Sequence, residues 1–117
     1  MFTTSDRTTL EILAHRLSTL LGAPIERIDF GERPLTGAIA FPNHVFAVEA
    51  KLGSSVAYVV SGIDRLEPRR EGAIPLLVLP EMSRVGAFLC ERAHVNWLDA
   101  KGAARIIVPN LPVILRV

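Results

Sequence analysis

The stretch His44–Gly53, HVFAVEAKLG, decides how this chain is read. It begins as a run of β-formers and then presents a carboxylate and an amine, Glu49 and Lys51, one residue apart. Residues two apart in a strand point to the same face, so both side chains leave the sheet together. A buried charge is costly unless it is paired or binds something. Opposite charges on one face of an apolar strand therefore mark a site, either working or the remnant of one.

Upstream, Leu35–Phe41 reads as a second short strand, and Pro42-Asn43 as the turn that joins it to Val45–Lys51 in an antiparallel hairpin. With the turn centred near Asn43, Gly37, give or take one residue, is expected opposite Glu49, so Thr36 and Ala38 are the other two positions. None of the three offers a carboxylate. Ile25–Phe30 is a preceding strand with interleaved polar residues.

The first element is a helix over Thr8–Leu21. Leu10, Leu13, Ala14, Leu17, Leu20 and Leu21 form one apolar stripe at i, i+3, i+4, i+7 spacing. Thr8 and Glu11 have the form of a capping box, Gly22 and Pro24 stop the helix, and His15 falls opposite the stripe.

Downstream, Ser54–Leu66 keeps Val56, Val59, Val60 and Ile63 at helical spacing, with Ser54 or Ser55 as N-cap. Glu67–Gly72 is a charged loop. Ile74–Leu79, IPLLVL, fits a strand buried on both faces and central in the sheet. Ser83–Ala93 is a helix whose face is drawn by Val85, Phe88, Leu89 and Arg92, with Cys90 beside it as a packed thiol. His94 falls at that helix's C-terminus, where the dipole favours it. Val95–Leu98, a turn at Asp99–Gly102 and Ala104–Val108 make a hairpin, and Leu111–Val117 is an edge strand interrupted by Pro112. The expectation is a single domain over 1–117, an α/β fold with a mixed sheet flanked by helices.

Bulk properties narrow the function classes. The 117 residues are half hydrophobic and carry a net charge of +1, which suits one packed domain and not a strongly basic nucleic-acid binder. Aromatics are 6% of the chain, too few for a base-stacking platform. No apolar run reaches the roughly 18 residues of a membrane span, and the polar start MFTTSDRTT lacks a signal peptide's apolar core. The single Cys90 fits a reducing compartment. A cytoplasmic location is expected. No Walker loop, dinucleotide fingerprint or Cys/His cluster occurs.

With that order of elements, Glu49-Ala50-Lys51 on the second hairpin strand resembles the E-x-K half-motif of the PD-(D/E)XK nuclease superfamily, whose core runs αβββαβ. A second segment, Pro75–Ile106, is similar to bacterial endonuclease-like domains found with type IV abortive-infection antitoxin-like regulators. There a strand and helix lead into a hairpin that here reads VNWLDAKGAARI, with Ala103 where Asn is frequent. The two resemblances span roughly Glu11 to Val108.

The resemblance implies a restriction-endonuclease-like fold in which an Asp and the E-x-K Glu hold Mg²⁺ while the Lys serves the attacking water and the phosphate. Glu49 and Lys51 match that pattern, and Glu49 would be the metal ligand. The Asp has no counterpart, so Glu11, Asp29 or Glu32 would have to migrate in. Asp99 reads as a turn residue, with a family role as the alternative.

Three readings follow. One is an endonuclease-like domain of nucleic-acid handling with a degenerate site. Another is an active Mg²⁺-dependent DNA or RNA nuclease using Glu49, Lys51 and a migrated acid. The last is an interaction or dimerisation module of a regulator, engaging a protein partner or a second copy.

Overall fold

The computed structural model describes residues 4–31, 36–66, 72–108 and 111–116. Seven strands lie in chain order across one sheet, β1 to β7. They are β1 (Arg27–Phe30), β2 (Thr36–Ala40), β3 (Val45–Ala50), β4 (Ala73–Leu79), β5 (Asn96–Asp99), β6 (Ala104–Val108) and β7 (Leu111–Arg116). The helices are α1 (Thr4–Leu21), α2 (Val56–Leu66) and α3 (Arg84–Arg92). β1–β2–β3 is an antiparallel meander, β3, β4 and β5 are mutually parallel, and β5–β6–β7 is antiparallel again. The fold is α/β, a mixed sheet flanked by helices, as its element order leads one to expect.

The parallel pairings require crossovers, and α2 and α3 supply them. β4 is the middle strand, and its IPLLVL residues are buried on both faces. On one face Leu10, Leu13, Ala14 and Leu17 of α1 are buried with Phe46, Val48, Leu76, Val78, Leu98 and Ile106. On the other, Val59 and Leu66 of α2 and Cys90 of α3 pack with Leu77, Leu79 and Trp97. Alternation along β3 sends Phe46, Val48 and Ala50 to the α1 face, and Ala47 and Glu49 to the α2–α3 face.

Two expectations need correction, and a third is sharpened. The first helix begins at Thr4, a full turn before Thr8. Nothing in Ser5-Asp6-Arg7-Thr8 breaks a helix, so Thr8 and Glu11 are interior positions of α1 and not its N-terminal cap.

The turn at Pro42-Asn43 is a two-residue loop closed by Phe41 N–H to the His44 carbonyl at 2.7 Å. Its centre therefore lies between those two residues. Of the three positions expected opposite Glu49, Thr36 is therefore the one that stands there.

The face drawn on the third helix is rotated. Gly86 and Cys90 point inward, whereas Val85 and Phe88 are 56% and 55% exposed. A β-carbon at Gly86 would sit 2.7 Å from Met82 Sδ and 3.1 Å from Val59 Cγ2. Close approach of α3 to α2 at this glycine sets the rotation.

Smaller differences are one- or two-residue shifts at element ends. Ser83 is the N-cap of α3, its hydroxyl accepting from Gly86 N–H at 3.0 Å. His94 follows the C-cap with φ 56°, a left-handed residue. Val95 N–H bonds back to the Cys90 carbonyl at 2.9 Å around it, in the manner of a Schellman stop. Geometry, more than the dipole, is what this position demands. The charged loop expected at 67–72 lies outside the described residues except for Gly72.

Candidate functional site

β3 carries Glu49 to its penultimate position, and Lys51 follows the strand end with its backbone N–H still bonded to the Val78 carbonyl at 2.7 Å. That bond prolongs the β3–β4 ladder by one residue and keeps the two side chains on one face. Glu49 is 5% exposed. Lys51 Nζ lies 3.7 Å from Glu49 Oε2 and donates to Ser61 Oγ on α2 at 3.2 Å. Across the β2–β3 ladder stands Thr36, also buried. The arrangement is a partly enclosed quartet of Glu49, Lys51, Ser61 and Thr36, where the C-terminal end of β3 meets α2. A shallow groove runs along α2 beside it, lined by Ala57, Val60, Ser61, Asp64 and Arg65. Ligands of open α/β sheets gather at this end of the parallel strands.

The acids that were candidates to complete the site are placed differently. Glu11 is exposed on α1, across the sheet from Glu49. Asp29, exposed on β1, pairs with Ala38 of β2, and its carboxylate is held by Arg27 Nε at 2.7 Å. One strand, β2, separates it from Glu49. Glu32 lies outside the described residues.

Asp99 is buried at the end of β5, and both its carboxylate oxygens are in use. Oδ1 accepts from Lys101 N–H at 3.0 Å and Ala103 N–H at 2.9 Å, and Oδ2 from Met82 N–H at 3.0 Å. Its backbone carbonyl accepts from Arg16 of α1. One residue thus ties together the β5–β6 turn, the lead into α3, and α1.

The metal that the resemblance implies does not suit these donors. Among the described residues no three His, Cys, Asp or Glu side chains gather in a group able to hold a cation. At the quartet itself, the one carboxylate lies beside an ammonium and faces a hydroxyl. A hard divalent cation takes several oxygen ligands, with carboxylates offsetting its charge, and this donor set offers it only one. Glu49, Lys51 and Thr36 do form one polar cluster.

One member of the quartet, Ser61, is not legible in the sequence, and another, Thr36, is legible only to within one residue. Thr36 lies within the expected register, and the two-residue turn at Pro42-Asn43 selects it from its neighbours. Ser61 carries no signal of its own, because its role depends on where α2 docks.

Cys90 is fully buried between α3 and the sheet. Burial, assisted by the charge of Glu91, pushes its thiol up to about 12, which leaves it a packed, un-ionised group.

Among the described residues no helix is long and apolar enough to cross a membrane. No protein-family model, no curated protein and no solved structure matches this chain.

Proposed function

We propose that this chain is an endonuclease-like domain of cytoplasmic nucleic-acid handling whose catalytic site is degenerate. The observation that carries the reading is the quartet. The pair matching an E-x-K motif sits at the end of the third strand of an αβββαβ order, with Thr36 across from Glu49 in place of an acid. The Lys51 ammonium is engaged by Glu49 and Ser61 and is not displayed toward solvent. A lone carboxylate beside an ammonium is a weak Mg²⁺ ligand, and without the metal phosphodiester hydrolysis lacks its main source of charge stabilisation.

The test is incubation of the chain with plasmid, single-stranded DNA and RNA in Mg²⁺ or Mn²⁺. No cleavage is expected. Metal-dependent cutting that disappears in both Glu49→Ala and Lys51→Ala would overturn degeneracy in favour of an active nuclease with another acid in place. Binding to none of these nucleic acids, with the fold intact, would leave the interaction module as the reading.

A further inference from the structure

We propose that the outer face of the α2–α3 layer is a docking surface for an acidic amphipathic helix of a protein partner. This goes beyond the endonuclease-like reading and does not depend on it.

Both helices connect parallel strands and run in the same direction, and they meet where Gly86 closes on Val59. Two such helices leave a groove between their outer flanks that a third helix can fill. Among the described residues the layer's large exposed apolar side chains are Val56, Tyr58 and Val60 on α2, and Val85 and Phe88 on α3, each 42–56% exposed. On α1, by contrast, Ile12 is the one large exposed apolar residue among the described positions.

Charge decides the occupant. The exposed charged residues of α3 are Arg84 and Arg92, one at each end, and the Arg92 guanidinium lies 5.7 Å from the Phe88 ring centre. The half-buried Glu91 turns away to Arg105 Nε at 2.9 Å. Glu81, ahead of α3, is paired with Lys101 at 3.3 Å. On α2, Asp64 is offset by its neighbour Arg65. An apolar strip rimmed by net positive charge is complementary to a helix with an apolar stripe and acidic flanks. A second copy would bring arginines against arginines.

The test is selection of a phage-displayed library of random peptides of about 16 residues, long enough for a marginal helix, on the full chain. The enriched peptides are then synthesised and titrated by fluorescence anisotropy. The expected sequences carry Leu, Ile or Phe at i, i+3, i+4 and i+7 with Asp and Glu beside them. Affinity should fall by about tenfold or more in Phe88→Ala, as for an anchor residue, and clearly in Arg92→Glu, with both variants melting like the parent. Enrichment of neutral or basic peptides, no enrichment at all, or binding indifferent to both substitutions would overturn the proposal. So would sedimentation showing a dimer of the parent that Phe88→Ala dissolves, which would assign the face to a second copy.

Discussion

Thr36 and Glu49 are direct cross-strand partners at the end of the β2–β3 ladder, both buried and both on the face that α2 covers. Directly opposed residues hold their β-carbons about 4.5–5.5 Å apart, close enough for two carboxylates to share one cation. The hydroxyl at position 36 is therefore what separates this cluster from a two-acid metal site.

That relationship makes Thr36→Asp the substitution that restores an acid. Without metal it should destabilise the chain by about 1–3 kcal/mol, since a second buried carboxylate meets the first. Mn²⁺ or Mg²⁺ should recover stability in this variant and leave the parent unchanged, as read by thermal melting with and without the ion. Gly37→Asp should fail as a control, because a β-carbon there runs into the Asp29 carbonyl oxygen.

Asp99 predicts a stability effect with no counterpart in activity. Asp99→Ala removes the acceptor of three backbone N–H groups and should cost about 3 kcal/mol or more, at about 1–3 kcal/mol for each buried donor left unpaired. Asp99→Asn keeps one carbonyl oxygen. Facing the turn, it can still serve Lys101 and Ala103, so the loss in urea denaturation should be clearly smaller and should come from the Met82 N–H.

His94 occupies a left-handed conformation immediately after α3. His94→Gly removes the steric cost of a side chain there and should stabilise the fold by about 0.5–1 kcal/mol, measurable as a raised denaturation midpoint. An unchanged or lowered midpoint would mean that the imidazole contributes more than its backbone strain costs.

For Cys90 the sign follows from burial. The unfolded thiol titrates at its ordinary value of 9.0 and the folded one only at about 12. The folded state therefore holds its proton while the unfolded state loses it. The thiol's contribution to stability is complete below pH 9 and declines as pH rises from there toward 12. Two measurements check this: native protein at pH 8 should resist thiol reagents that react fully in denaturant, and Cys90→Ala should show a shallower loss of stability above pH 9.

Local chemistry made much of the fold legible. The leucine stripe of α1, the IPLLVL run of β4 and the turn residues around β3 express periods and backbone preferences that the chain carries wherever it folds. The same local logic exposed Glu49 and Lys51 as a same-face pair. It failed on α3, where Val85, Phe88 and Leu89 drew a convincing stripe, yet the inward side is set by Gly86 and Cys90. Helical periodicity reveals that a face exists, but the neighbour that comes closest decides which face is buried.

The sequence by itself determined the number and order of elements, the hairpin bearing Glu49 and Lys51, and the central place of β4. Each of these follows from residue spacing within a few turns or strand steps. Tertiary structure alone decided which of Thr36, Gly37 and Ala38 faces Glu49, that Ser61 of α2 takes the Lys51 ammonium, and that Glu11 lies across the sheet from both. Those outcomes depend on a half-residue shift in a turn and on the docking of helices far apart in sequence. Side-chain contacts act over a few ångströms, so which polar groups meet is decided only once the packed layers have set their distances.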